Sequence, residues 1–417
     1  MSQLSLFTNN DERTNRQLEC VQKWVDNKKR GTILAATGFG KTRVGLQAIK
    51  RFQAKFPEHL IIVAVPSDAI RIQWEKELSN WNLKAEVKTY YDTSRHKYEC
   101  TMLVLDEIQK VAADTLFSTF DNVKYKLILG LTATFERLDG RDKLIAKYCP
   151  VIDEITISEC ISKGWLSDYT EYLVLIEPED IEDYNKVNRQ FLDHFSYFDY
   201  NFNKAMAMFS DWKYRVRYIK EHNLSKEEGK ILMAHAAGFN RTMQARKKYI
   251  NNHPKKIELT NLILEHRSDK KCITFSNTIA MAERIGYGQV YSGKDSVKKG
   301  RAKLEEFLLQ SSGVINSIRR LTEGFNDPTI SVAVVLGFDS SKTRKTQSIG
   351  RVIRAFEGKK AEVFNLVLKG TVEETWFANS NTNSNYITID EENLINVLNG
   401  TEFTKKKNKV TKMKFRF

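Results

Sequence analysis

Residues 32–43 read T-I-L-A-A-T-G-F-G-K-T-R, an apolar run that breaks at two glycines and continues at once into Lys41 and Thr42. The pattern calls for a strand feeding the turn and a helix leaving it. Gly38 and Gly40 let backbone N–H groups approach an anion, and a helix start favours negative charge. Lys41 can then reach the outer phosphates of a nucleotide, and the Thr42 hydroxyl can ligate magnesium. The turn is a P-loop with Ala35 in place of the first glycine of the general pattern; Thr37, Phe39 and Arg43 belong to the same nucleotide-binding stretch.

Downstream, M-L-V-L-D-E-I-Q ends an apolar run in Asp106 and Glu107. Carboxyl ends of strands are where open α/β sheets collect ligands. Asp106 suits magnesium, directly or through water, and Glu107 suits a general base that polarises an attacking water. Adjacent acids after a strand are often only a solvated cap. Paired with the upstream turn, they read as a Walker B site.

Further short apolar runs at 60–65, 126–129, 271–275, 314–317, 332–336 and 363–368 alternate with helical stretches, and 172–176 opens the second group. Buried parallel strands have this texture. The fold expected is α/β, with two parallel-sheet domains in tandem: 11–150 and 160–400, dividing near 148–159. Residues from about 178 to 254, rich in aromatic and basic side chains without β patterning, read as a helical insertion in the second domain.

The chain has 417 residues, 41% hydrophobic and 28% charged with only 6 Pro, which excludes a disordered or fibrous protein. No run is long and apolar enough to span a bilayer, and the start lacks the flanks of a signal peptide, so a cytoplasmic protein without a membrane partner is expected. Five scattered cysteines form no C-x-x-C pair, leaving no readable zinc or iron–sulfur site. Lys plus Arg exceeds Asp plus Glu by 66 − 52 = 14, which favours a polyanionic partner. Residues 401–417 carry Lys405, Lys406, Lys407, Lys409, Lys412, Lys414 and Arg416. This basic tail is either a solvated terminus or a nucleic-acid grip.

Additional motifs, in order, make the chain resemble the superfamily 2 helicases, whose motors are two RecA-like domains. The run G-L-T-A-T-F-E-R-L-D-G at 130–140 resembles motif III of the branch containing XPB, phage branch-migration helicases and restriction-enzyme motors. By that resemblance Gln109, Thr132, Ala133 and Thr134 couple hydrolysis to movement. Gln17, which precedes Lys41 by 24 residues, resembles the adenine-reading glutamine. Residues 65–78 resemble motif Ia, with Pro66 and Ser67 against a nucleic-acid backbone. Thr89 and Tyr90 resemble a short strand-touching element, ordinary strand residues being an equal alternative. Ser276 and Asn277 fall in a motif IV-like T-F-S-N, and Ser317, Glu323, Gly324 and Asn326 in a motif V-like segment, with Asn326 where aspartate is common. Q-S-I-G-R-V-I-R at 347–354 resembles motif VI, whose arginines, here Arg351 and Arg354 after Gln347, meet the γ-phosphate across the cleft. The tetrad D-E-I-Q and the triplet T-A-T speak against a DEAD-box RNA helicase, making RNA the less favoured partner.

The resemblance implies an ATP- and Mg2+-dependent helicase or double-stranded DNA translocase acting on duplex, forked or branched DNA, moving 3′ to 5′ if it unwinds as that branch does. Two other readings stay open: a nucleotide-switched DNA-binding adaptor, and the motor subunit of a restriction system. At the start, Gln3, Leu4, Ser5, Leu6 and Phe7 spell Q-L-S-L-F, which resembles the peptide that docks on bacterial sliding clamps. A free peptide over 1–10 and a bacterial or phage setting follow from that reading. The other reading is a terminus folded back on the first domain. In the insertion, Trp212, Lys213, Tyr214, Arg215, Arg217 and Tyr218 offer groups that grip or wedge bases, or else form a buried helical seam.

Overall fold

The computed structural model describes residues 3–113, 115–135, 140–292, 295–318, 327–338, 350, 352, 359–380 and 386–403, the side chains of 3–11 and 297 excepted. A first helix, Gln3–Asp26, leads into β1 (Arg30–Ala35), β2 (Ile61–Val65), β3 (Glu86–Thr89), β4 (Tyr98–Glu99), β5 (Met102–Asp106), β6 (Val123–Lys124), β7 (Leu127–Thr132) and β8 (Val151–Ile155). Six of these form one sheet in the order β3-β2-β5-β7-β1-β8, and β4 pairs with β6. Every ladder is parallel. β2 and β5 are buried along their whole length, as continuous apolar runs require when helices cover both faces.

β8 lies in the segment read from sequence as the division between domains, and carries the first sheet past residue 150 to Ile155. Its V-I-D-E-I run does not look like a buried strand. Asp153 is tolerated there because Arg16 donates to it at 2.6 and 3.1 Å and Lys23 at 2.6 Å. The same contacts fasten the first helix to the sheet edge.

The second sheet contains β9 (Tyr169–Ile176), β10 (Lys271–Ser276), β11 (Gln289–Tyr291), β12 (Gly313–Ile318), β13 (Val332–Val335), β14 (Ala361–Leu368) and β15 (Ile387–Ile389). Their order is β11-β12-β10-β13-β14-β9-β15, again all parallel. The α/β expectation of two parallel-sheet units holds. β9 pairs with β14 from Tyr169↔Ala361 to Ile176↔Leu368. Tyr172 and Phe364, directly opposite, stack with ring centroids 5.0 Å apart.

Between β9 and β10 the chain forms four helices, Ile181–Ser196, Phe202–Ser210, Trp212–Glu221 and Lys226–Asn252, before Pro254–His266 returns it to the sheet. These four have their own apolar centre: Phe239 meets Phe191 at 5.1 Å, Phe195 at 5.0 Å and Phe202 at 5.9 Å. Asn201 and Asp211 cap two of the helices, and Ser225 with Glu228 forms a capping box on the longest. The Trp212–Glu221 helix buries none of its residues. The aromatic insertion thus divides: Phe191, Phe198 and Phe239 are core, while Trp212 is 62% exposed.

One apolar cluster runs through both sheets, from Trp24, Phe39 and Trp74 in the first to Val335, Val352 and Phe377 in the second. Behind the second sheet Lys256 and Glu373 form a fully buried ion pair at 2.5 Å, and the ammonium also donates to the Leu336 carbonyl at 2.8 Å. Burial pushes the lysine pKa down and the glutamate pKa up, while each partner's charge opposes the shift.

Candidate nucleotide site between the two sheets

β1 ends at Ala35, and the turn that follows has φ of +94° at Gly38 and +100° at Gly40, a region costly for side-chain-bearing residues. A Cβ on Gly40 would also lie 2.7 Å from Gln17 Nε2. Gly40 caps the Lys41–Gln53 helix, and no side chain hydrogen-bonds the cap. That leaves a helix start suited to an anion. Thr37 Oγ1 is buried with no protein partner. Thr42 is half-buried at the helix start, whereas the Arg43 guanidinium turns to the Trp81 ring, 5.9 Å from its centroid.

The next strands bring the acids to the same turn. Lys41 Nζ lies 3.4 Å from the Ala35 carbonyl and 4.0 Å from Glu107 Oε1. Asp106 is buried at the end of β5, with Trp74 Nε1 donating to its Oδ2 at 2.8 Å. Burial, then the neighbouring Glu107, pushes the Asp106 carboxyl up to about 6, against the hydrogen bond from Trp74 and the charge of Lys41. A cation bound there would oppose that rise. Glu107 takes a left-handed backbone, φ 53° and ψ 51°, that turns the chain off the strand end.

From Glu107 a hydrogen-bonded chain crosses to β7. Gln109 Nε2 donates to Glu107 Oε2 at 2.8 Å, and Thr132 Oγ1 donates toward Gln109 Oε1 at 2.6 Å. Thr132 Oγ1 also lies 2.7 Å from the Thr134 carbonyl and accepts from the Thr134 amide at 3.1 Å. Ala133 occupies the turn between the two threonines. The amide of Gln109 serves both directions, donating with one atom and accepting with the other.

On the other side stands the first helix. Gln17 is buried, and its Nε2 donates to the Phe39 carbonyl at 3.0 Å while its Oε1 has no partner. Arg13, one turn earlier, donates to the same carbonyl at 3.0 Å and to that of Gly38. Burial lowers the pKa of Arg13 from its ordinary value. The open glutamine oxygen and Thr37 hydroxyl, with the uncapped glycine turn, fit a purine nucleotide whose exocyclic group donates a hydrogen bond. Sequence reasoning found Gln17 but missed Arg13, although a spacing of four residues on a helix puts both on one face. Trp74, inside the motif Ia-like stretch, holds Asp106. Nothing in the sequence alone marked it.

The residues read as DNA contacts separate. Pro66 and Ser67 are half-buried at the start of the Asp68–Asn80 helix, and the Ser67 hydroxyl is unpartnered. Thr89 accepts from the Asp92 amide and so caps a short helix. Tyr90 is 1% exposed and its hydroxyl donates to the Asp106 carbonyl at 2.6 Å. That corrects the reading of Tyr90 as a strand-touching residue: it is core, packed behind the acid. Ser276 and Ser317 are buried at the ends of β10 and β12 with unpartnered hydroxyls, so Ser317 does not present a surface to a phosphate in this arrangement. Asn277 donates to Asn251 Oδ1 at 3.1 Å and to the Phe338 carbonyl at 3.2 Å. Gly324, Asn326, Gln347, Arg351 and Arg354 lie outside the described residues, as do the side chains of Gln3, Leu4, Ser5, Leu6 and Phe7; the Gln3–Asp26 helix takes in the backbone of those five.

Gly350 and Val352, which flank Arg351, are described. Gly350 packs on the P-loop so closely that an added Cβ would lie 2.3 Å from the Cβ of Thr37. The nucleotide turn that follows the first strand and Gly350, from the later half of the chain, are in contact. Among the described residues, no cluster of three His, Cys, Asp or Glu side chains suits a metal ion, and no helix is long and apolar enough to cross a membrane.

Residues 10–114 match the family described as Type III restriction enzyme, res subunit. Across 383 residues the chain is 24% identical to the DNA 3′-5′ translocase XPB2 of Sulfurisphaera tokodaii, covering 86% of this chain and 82% of the relative. Two solved structures share the fold at 14% identity. The Pyrococcus furiosus Hef helicase domain matches with a TM-score of 0.53, over 88% of this chain and 97% of that one. The ATP-dependent Type ISP restriction-modification enzyme LlaBIII, solved bound to DNA, matches with a TM-score of 0.55 over 86% of this chain, which spans only 28% of the enzyme. In its tandem parallel sheets, its P-loop with paired acids and its matched relatives, the chain resembles the superfamily 2 helicases near XPB and the restriction-enzyme motors.

Proposed function

We propose that the chain is an ATP-driven DNA motor, a helicase or double-stranded DNA translocase, whose two sheets share one nucleotide. The observation that carries this reading is the contact of Gly350 with Thr37, which brings the backbone beside Arg351 to the P-loop. Lys41 and the 38–42 turn would hold the phosphates, Gln17 the adenine, and Thr42 with Asp106 a magnesium ion that neutralises phosphate charge. Glu107, steadied by Gln109, orients the attacking water, and Arg351 and Arg354 stabilise charge from the opposite side when the cleft is closed. Because Gln109 also meets Thr132, the base is tied to the segment that ends in the T-A-T turn. A state-dependent change at Glu107 therefore has a path out of the pocket.

DNA is the favoured track. The net charge of +14 suits phosphate neutralisation, and the relative named a DNA 3′-5′ translocase suggests 3′ to 5′ movement on duplex, forked or branched DNA. The Trp212–Glu221 helix, which buries none of its residues and carries Lys213, Arg215, Arg217 and Lys220 as well as Trp212, is suited to phosphates and base faces together. Pro66 and Ser67 are the other proposed contacts. The reading extends to replication, recombination or repair in a bacterial or phage-infected cell, with Gln3, Leu4, Ser5, Leu6 and Phe7 docking on a sliding clamp. The alternative of a switch with little turnover is less favoured, since Gln109 is built into the hydrolytic network rather than idle.

The test is ATP turnover with and without single-stranded, duplex and branched DNA or RNA, for wild type, Lys41→Ala and Glu107→Gln. DNA stimulation abolished by both substitutions is expected; DNA binding with no turnover would instead identify the nucleotide-switched adaptor. For the clamp, Leu6→Ala with Phe7→Ala should abolish pull-down by a bacterial clamp and spare ATPase, and undiminished capture would retire that part.

A further inference from the structure

We propose that Trp165 is a positioning residue through which the nucleotide turn sets the covalent bridge between the two sheets; the proposal rests on the ATP-driven reading above. The bridge, residues 156–168, runs from β8 to β9. Thr156 caps its short helix Ile157–Ser162 by accepting from the Glu159 amide at 3.1 Å. Arg16 grips both sides of this start, donating to Asp153 in β8 and to Glu159 at 3.1 Å. Gly164, at φ +68°, then turns the chain, and the Trp165 amide closes on the Cys160 carbonyl at 2.8 Å.

That turn delivers the Trp165 indole onto the P-loop. Its ring centroid lies 5.7 Å from that of Phe39, the planes tilted by 50°, and both side chains are buried. Phe39 is the residue whose carbonyl receives Gln17 and Arg13. A ligand that engages the Gln17 amide or the backbone of 38–40 therefore acts on the residue against which Trp165 rests. Arg16, beside Gln17 in sequence, holds the other end of the bridge. The bridge is thus attached at both ends to the elements that read the nucleotide.

A second observation is a donor left unsatisfied at this contact. Trp165 Nε1 is buried with no acceptor, whereas Trp24 Nε1 donates to the Ile128 carbonyl at 2.8 Å and Trp74 Nε1 to Asp106 at 2.8 Å. A buried donor left unpaired carries a desolvation cost that another arrangement can relieve. An indole that packs well against Phe39 but lacks a hydrogen bond suits a joint with two settings, one selected by nucleotide.

Two measurements test this on the full chain. The first is intrinsic fluorescence on binding ADP, with binding itself followed by calorimetry. Of the 6 tryptophans, Trp165 should carry the change, so wild type responds and Trp165→Phe, which keeps an aromatic ring on Phe39, loses most of the response. A full response in Trp165→Phe, or no response in wild type while ADP binds, overturns the proposal. The second is ATPase with and without duplex DNA. Trp165→Ala should lower the DNA stimulation about tenfold while DNA-free kcat and KM stay within about twofold, and Trp165→Phe should restore the stimulation. Unchanged stimulation, or kcat and KM collapsing together without DNA, would mean plain structural support and overturn it. If Trp165→Ala fails to fold, the fluorescence of Trp165→Phe decides alone. A wild type that DNA does not stimulate would count against the motor reading, and the ADP experiment would still judge Trp165.

Discussion

Gln109 Nε2 donates to Glu107 Oε2 at 2.8 Å, so the proposed base takes its orientation from an uncharged neighbour two residues along the same turn. Replacing the amide by Gln109→Leu removes this bond and the one from Thr132, which keeps only its contacts with Thr134. ATP turnover should fall about 10- to 100-fold with KM little changed, since a misaligned base affects the transition state more than binding. Steady-state kinetics at saturating DNA check it. An unaltered kcat would mean that Glu107 needs no such support.

The contacts of the first helix on β8 give the fold an acid-sensitive seam. Burial alone would raise the Asp153 carboxyl, but hydrogen bonds from Arg16 and Lys23 outweigh it and hold the pKa below its ordinary 3.8. A depressed carboxylate contributes stability that is fully present above the unfolded value and is lost as pH falls through the folded one. Asp153→Asn should cost about 1 to 3 kcal/mol at pH 7, and the gap from wild type should narrow as pH falls through 3.8 and below. Urea denaturation across that range reads it, and a gap that does not change with pH would contradict the assignment.

Lys256 and Glu373 offer a different balance. Removing one member, as in Lys256→Met, leaves a buried charge and should destabilise the second domain by about 3 to 5 kcal/mol. Lys256→Met with Glu373→Leu should be far less damaging than the two single changes added together. A double-mutant cycle by chemical denaturation measures the coupling, and additive effects would show that the pair is not the unit described.

For the insertion, Trp212→Ala should weaken single-stranded DNA binding by about 1 to 3 kcal/mol, as expected for one lost stacking platform. Lys213→Ala with Arg217→Ala should instead flatten the salt dependence of binding. Neither variant should change DNA-free ATPase. Fluorescence anisotropy over a salt series separates the two effects, and wild-type affinity in both would move the DNA track elsewhere.

What the sequence could disclose followed where the stabilising partners lay. β2 and β5 were legible because burial on both faces demands unbroken apolar runs. β8 was not, because its Asp153 is explained by Arg16 and Lys23, which are distant in sequence. The 38–42 turn, Asp106 and Glu107 were legible since phosphate chemistry fixes their types and spacing. Arg13 could have been found from its helical spacing to Gln17. Tyr90 was left with two readings because a buried hydroxyl that bonds a backbone carbonyl looks, in sequence, like any polar aromatic near a strand end. Trp165 carried no local signal; its meaning depends on Phe39 across a fold-level contact.

The shared pocket is tested most directly at Gly350, where any side chain would press its own segment away from Thr37. Gly350→Val should keep ADP affinity, contributed chiefly by the first domain, within about threefold, keep the melting temperature, and lower kcat at least about 100-fold by holding the late arginines off the phosphates. Calorimetry and ATPase on the same preparation give both numbers. Wild-type turnover in Gly350→Val would contradict the claim that the two sheets act on one nucleotide.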